Sequence, residues 1–278
     1  MTVTGDSGSA DQLISQKVHA VLEELKHLSD LTQEELDWCD ATTVKRYLRA
    51  RNGHVHKAAR MLHGTLKWRQ EFGVGTLRLD EFRGGRQLGS GRMYTAGNDP
   101  AGRSILVTRK RSDAFQAGEH SAYLRFLVFT LETCVRAMKG GQEKWVWLMD
   151  MRGYSRANSP PINVAMATLR ILSDHFPERL HRCFFIDAPS LFSFLFSALW
   201  PFVDPVTRQK IVFVASKDYA KQIEAVEAAG SDEGQRDAAL RAAACAKDPD
   251  AFCNYLRWYC TPYDEASYMA LLNSLGWT

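Results

Sequence analysis

The residues of this chain whose types could do chemistry are poorly spaced for it. Gly5-Asp6-Ser7-Gly8-Ser9 has the composition of a nucleophilic serine loop, but it precedes any framework able to hold a histidine and an aspartate against the hydroxyl. No serine occupies a G-x-S-x-G elbow. Gly84, Gly85, Gly89 and Gly91 lack both the Walker lysine and the Rossmann spacing. His54, His56 and His63, or Cys253 with Cys260, lack the paired short spacings of structural zinc. Asp150 ends an apolar run where an α/β enzyme could place a carboxylate, yet Arg152, two residues on, makes a structural ion pair as good a reading. The chemistry expected is therefore not catalysis, and neither a metal nor a cofactor is implied.

Binding chemistry is better represented. Lys45, Arg46, Arg49 and Arg51 line a basic face, either simply solvated or suited to an anionic membrane. Taken alone, Glu178 suits a surface pair with Arg179 or Arg182, Thr207 the start of a helical turn and Lys210 a solvated strand start. From Ala188 to Val203 the chain carries no charge, and Pro189 and Pro201 bound a short apolar helix. A spanning helix needs about 20 apolar residues, so this one packs in a core, lies against a membrane, or does each in turn.

These residues need elements to position them. The 278 residues, 45% hydrophobic, allow one large α/β domain with helical additions. The net charge of +3 does not suggest nucleic acid. Six scattered cysteines read as reduced thiols in a cytoplasmic protein, and Met1 to Asp11 has neither a secretory signal nor a membrane anchor. Residues 1–12 read as a flexible tail, 13–80 as a helical lobe, 90–217 as an α/β lobe and 218–278 as a helical extension. Leu13 to Leu28 and Thr43 to Phe72 are read as helices, with Thr42 or Thr43 as N-cap and Gly73 and Gly75 as terminators. Strands are expected at Ser104 to Arg109, Lys144 to Met149, Arg182 to Ile186 and Lys210 to Val214, with helices between them. That alternation predicts a mainly parallel sheet.

Three stretches resemble one family. Leu48-Arg49-Ala50-Arg51-Asn52-Gly53 with Leu66-Lys67-Trp68-Arg69 is similar to the helical N-lobe of CRAL-TRIO lipid-binding proteins, the family of the fungal-type phosphatidylinositol transfer proteins. Phe176-Pro177-Glu178-Arg179-Leu180 and Trp200-Pro201-Phe202-Val203-Asp204-Pro205-Val206-Thr207 resemble its lipid-binding lobe. The resemblance implies a sheet enclosing a hydrophobic lipid pocket, a mobile apolar gate helix and exchange of a phospholipid, most simply phosphatidylinositol, at membranes. It puts Arg51, Asn52, Glu178, Thr207 and Lys210 at the headgroup, with Asn52 replacing a basic residue, and Ser155 at a second headgroup. It puts Leu191, Phe192, Leu195, Phe196, Leu199, Trp200 and Phe202 in the gate, and makes Leu106, Phe126, Leu127, Leu131 and Met149 candidate pocket lining.

Leu106 and Leu131 stand where some members carry tyrosines, which argues against phosphatidylcholine and admits a sterol or isoprenoid. A lipid-sensing adaptor or scaffold is the alternative to a carrier. The partners implied are a lipid and, transiently and peripherally, a membrane surface; no protein partner is named. Asp187, where asparagine is common, reads as a structural cap.

Overall fold

The computed structural model describes residues 7–28, 31–110, 120–230, 232–245 and 247–278. Its contacts divide the chain into one unit of residues 1–76 and 169–178 and a second of 77–168 and 179–278.

The first unit is helical: α1 (Ser7–Leu28), α2 (Gln33–Trp38), α3 (Ala41–Ala50) and α4 (Val55–Phe72). Val18, Val21 and Leu25 of α1 meet Val44, Tyr47 and Leu48 of α3 and Ala58, Ala59 and Leu62 of α4 in one buried cluster. The helix begins at Ser7 rather than after a tail of twelve residues; once nucleated, each added residue gains a hydrogen bond, so the polar stretch before Leu13 can propagate it. Asp40, not Thr42 or Thr43, caps α3 by accepting from the Thr43 N–H at 2.7 Å. The expected helix from Thr43 to Phe72 is broken in two because Asn52 (φ +52°) and Gly53 (φ +74°) turn the chain through the left-handed region. Gly73 (φ +72°) ends α4 as expected.

The 169–178 segment completes this unit. The turn Ile171–His175 docks its backbone on α3 and α4: the hydroxyls of Tyr47 and Thr65 donate to the carbonyls of His175 and Asp174 at 3.3 and 3.1 Å. Trp68 stacks on the His175 ring, 4.0 Å between centroids. Burial holds the His175 pKa down at about 4, against a usual 6.5. The unfolded chain therefore takes up this proton more readily than the folded one. The stability contributed is complete above pH 6.5 and is lost as the pH falls from 6.5 toward 4, by about 1–2 kcal/mol allowing for partial exposure. In an NMR titration the His175 ring should stay neutral down to about pH 5; a midpoint near the ordinary value would refute this.

The second unit is built on a five-stranded sheet in the order β1-β2-β3-β4-β5. Its strands are β1 (Met93–Asn98), β2 (Ser104–Arg109), β3 (Trp145–Asp150), β4 (Leu180–Ile186) and β5 (Ile211–Val214). Only β1 and β2 pair antiparallel. Their turn is organised by buried Asp99, whose carboxylate accepts from the Ala101 and Arg103 N–H groups and from Arg103 Nε at 2.6 Å. The helices are α5 (Arg86–Gly89), α6 (His120–Ala137), α7 (Ile162–Arg170), α8 (Ser190–Leu199), α9 (Pro205–Arg208), α10 (Ala220–Ala228), α11 (Glu233–Ala243), α12 (Leu256–Cys260) and α13 (Glu265–Ser274).

The register gives the sheet two distinct faces. Leu106, Trp147, Cys183 and Ile211 stand side by side on one, followed by Thr108, Met149, Phe185 and Phe213. Trp147 Nε1 donates to Thr108 Oγ1 at 2.9 Å across that face. The C-terminal extension covers the other. There Phe184 meets Phe252 and Tyr255, at 5.7 and 5.4 Å, and Arg109 donates to the carbonyls of Tyr259 and Thr261. Asp250 pins the extension to the N-terminal ends of β2 and β4 through His181 (2.7 Å), Arg103 and Arg182.

The structure also joins Cys245 to Cys253 in a disulfide, with Cα atoms 6.0 Å apart, which corrects the expectation that all six cysteines are reduced. Cys39, Cys134, Cys183 and Cys260 remain free. Scattered spacings carry no pairing information; the fold brings these two together where α11 gives way to the Phe252–Tyr255 turn.

Candidate functional site

Helix α8 lies over the apolar sheet face. Phe192 and Phe196 point inward and pack on Phe185 at 4.8 and 5.0 Å, and Phe196 also reaches Phe213 at 6.2 Å and Trp200 at 5.7 Å. Tyr154, beyond the end of β3, closes against Phe192. No residue of α8 is fully buried. Its outward side is equally apolar: Phe194 is 74% exposed and Phe202, in the turn that follows, 62%, with Leu191, Leu195 and Val206 beside them. Leu199 and Trp200 are half-buried. Phe213 of the sheet is itself 49% exposed, so α8 covers the aromatic face incompletely. Among the described residues no helix is long and apolar enough to cross a membrane.

Short α9 positions the basic group at one end of this face. Pro205 presets the first turn, and Asp204 caps it by accepting from the Thr207 N–H at 2.9 Å. The Lys210 N–H donates to the Thr207 carbonyl at 3.0 Å, and the Lys210 carbonyl accepts from Cys183 N at 2.9 Å. Thr207 and Lys210 are thus held in one turn against the start of β5. Burial raises the Asp204 pKa, but hydrogen bonds from Thr207 and Val206 and the Lys210 charge outweigh it and leave the carboxylate below its usual range.

In the first unit, Arg51 and Asn52 form the turn between α3 and α4, where Arg51 Nη1 donates to the Ala50 carbonyl at 2.9 Å. The left-handed φ of Asn52 explains its side chain: asparagine tolerates that conformation better than a long basic residue does. Glu178 belongs to the same unit and has φ +58°.

Other expected residues fall elsewhere. Ser155 follows β3, in a loop where its N–H donates to Asn158 at 2.9 Å. It stands beyond the opposite end of the sheet from Lys210, a strand length of roughly 20 Å away, so the second headgroup candidate does not join Thr207 and Lys210. Leu106, Leu127 and Leu131 are fully buried, and Phe126 packs on Phe82 and Phe129 at 5.3 and 6.1 Å. Met149 is half-buried beside Phe185. Arg152 grips Asp150 at 2.8 Å, and Asp187 accepts from Ser216 N at 2.7 Å, both structural roles. Gly5 and Asp6 lie outside the described residues, and Ser7 opens a helix.

A cleft of about 500 Å³ on the far side of the sheet, lined by Tyr94, Arg236, Asp237, Arg257, Trp258 and Tyr263, had no signal in the sequence because its walls come from β1 and three separate helices.

Comparison with known proteins gives consistent matches. The model of the CRAL/TRIO domain family matches residues 88–227. A CRAL-TRIO domain-containing protein of Schizosaccharomyces pombe is 31% identical over 185 residues, 66% of this chain and 18% of that protein. Phosphatidylinositol transfer protein PDR17 of Saccharomyces cerevisiae is 28% identical over 67% of this chain and 56% of its own length. SEC14 cytosolic factor of Kluyveromyces lactis is 28% identical over 81% and 79%. The chain therefore spans well under two thirds of the first two relatives. The crystal structure of Sfh5 superposes with a TM-score of 0.54 at 16% identity, covering 76% of this chain and 82% of that one.

Proposed function

The chain belongs to the CRAL-TRIO domain family, and from that premise we propose that it is a cytoplasmic carrier, not an enzyme, that encloses one phospholipid, phosphatidylinositol first, beneath α8 and exchanges it at membrane surfaces. Relatives named as phosphatidylinositol transfer proteins support the lipid class. The observation that carries the reading is a helix apolar on both sides: its inward phenylalanines meet the aromatic sheet face, while Phe194 stands in solvent. A purely structural helix gains nothing from that outward face; one that moves between a lipid cavity and a bilayer uses both.

The headgroup, an anion out of water, requires cations and donors. Thr207 and Lys210, held in one turn of the second unit, supply a donor and a cation there, and the family resemblance offers Arg51, Asn52 and Glu178 of the first unit as headgroup candidates in their own right. Glu178 has a further argument. Among the described residues the other non-glycine residues at positive φ are Asn52 and Asp187, types that tolerate it. Glutamate does not, and strain kept at one residue points to use of its side chain.

The test is transfer between liposomes. Purified protein should remove labelled phosphatidylinositol from donor vesicles and deliver it to acceptors, and native mass spectrometry should find a lipid bound. Transfer of a sterol or isoprenoid instead would reassign the ligand, and the absence of any transfer or bound lipid would overturn the carrier reading.

A further inference from the structure

The Cys245–Cys253 disulfide ties together two helices that line the cleft on the far side of the sheet. Arg236 and Asp237 of α11 belong to that lining, as do Arg257 and Trp258 of α12. Cys245 lies two residues beyond the end of α11, and Cys253 sits in the Phe252–Tyr255 turn that runs directly into α12. The crosslink therefore fixes the end of one helix to the start of the other.

The two helices are held very unequally. Phe252, Tyr255 and Leu256 are almost fully buried, and the first two pack on Phe184 of the sheet. Asp250, in the segment that the disulfide closes, adds its ion pairs with His181, Arg103 and Arg182. Of the eleven residues of α11, in contrast, only Ala243 is fully buried. A helix of this length is marginal in water without packing. Beyond its contact with α10, α11 is secured by a hydrogen bond from Arg236 to the Thr261 hydroxyl and by an exposed Arg257–Asp237 pair at 3.9 Å, a pair that contributes little. The disulfide is the strongest attachment it has.

The two sulfurs also differ in access. Cys253 is 2% exposed, whereas Cys245 is half-buried, so an attacking thiolate reaches Cys245. In a compartment kept reducing by thiols, a disulfide that forms is usually transient and redox-sensing.

We propose that Cys245 and Cys253 form a reversible thiol switch that locks α11 beside the cleft when oxidised and releases it when reduced by a small cytosolic thiol, glutathione. A glutathione thiolate attacks Cys245 Sγ, the S–S bond breaks, and Cys253 leaves as a thiolate that takes up a proton. A second glutathione attacks the glutathione sulfur of the mixed disulfide, Cys245 is freed as a thiol, and oxidised glutathione departs. Two electrons pass from the two glutathiones to the protein disulfide. The buried turn and the Asp250 anchor keep the rest of the extension on the sheet, so the opening is local. The proposal rests on the cytoplasmic reading for the identity of its reductant.

The full-length protein is equilibrated with oxidised or with millimolar reduced glutathione, alkylated and digested for mass spectrometry. Cys245 and Cys253 should be joined in the first state and free in the second. Hydrogen exchange across residues 233–243 should quicken by about tenfold or more on reduction, while β3 is unchanged. Cys245→Ser should show the fast exchange under both conditions, and Cys260→Ser should respond as the wild type does. A disulfide that fails to form, one that survives reduced glutathione in the folded protein, or equal exchange of α11 in both states would overturn the switch. Phosphatidylinositol transfer by the same preparations reports on the carrier reading alone, so the two can fail separately.

Discussion

Lys210→Ala and Glu178→Gly should each lower phosphatidylinositol loading by about 30-fold or more, the consequence of losing 2 kcal/mol or more from a desolvated charged contact. The two variants reach that result from opposite sides in stability. Lys210 loses a side chain whose charge helps keep Asp204 ionised, so a small destabilisation accompanies the loss of loading. Glu178→Gly removes a Cβ from a backbone at φ +58° and should raise Tm by a few degrees, because glycine alone adopts that conformation without cost. A variant that is more stable yet no longer loads lipid separates function from folding. Wild-type loading by both variants would remove these residues from the headgroup site. Asn52→Lys, which restores the missing cation, offers the complementary measurement. It should cost stability through its left-handed φ and, if the phosphate lies near this turn, tighten loading.

Much of this organisation was legible because strong local signals agree with the fold. The four strands β2 to β5 are short runs of apolar, largely β-branched or aromatic residues, and each appears within two residues of its expected start. Strand β1 was not visible. Thr95, Ala96 and Gly97 break any apolar run, and an edge strand with an irregular register needs only one neighbour to hold it. The division of Thr43–Phe72 into two helices did have a local signal, the turn dipeptide Asn52-Gly53, whose two residues accept the left-handed φ that ends α3, but the helix-forming residues on both sides outweighed it.

The site divides in the same way. Residue types at Arg51, Glu178, Thr207 and Lys210 can be read from motifs, since a turn such as Asp204-Pro205-Val206-Thr207 fixes its own geometry: the Asp204 cap, Pro205 and the Thr207 N–H are local. The separation of Ser155 from that turn is not local, as it depends on which end of a parallel strand each loop follows. The Cys245–Cys253 disulfide and the docking of the C-terminal extension on Phe184 are likewise contacts between distant or irregular segments, for which sequence carries no periodic signal.

Replacing both Phe194 and Phe202 with Asp should reduce binding to phosphatidylcholine/phosphatidylinositol liposomes by more than about 100-fold. Burying a phenylalanine in an apolar phase is worth about 1.5–3 kcal/mol, and each replacement also sets a charge against the hydrocarbon boundary. The two residues are 74% and 62% exposed, so their loss leaves the packing of Phe192 and Phe196 on Phe185 in place, and Tm should not fall. Phe196→Asp is the instructive contrast: it buries a carboxylate among Phe185, Phe213 and Trp200 and should lower both Tm and lipid loading. A soluble short-chain phosphatidylinositol distinguishes membrane docking from ligand binding, because the outward double variant should still load it while failing to extract long-chain lipid from vesicles. Unchanged liposome binding by the folded double variant would make α8 a covering helix only, and the exposed Phe194 would then need another partner.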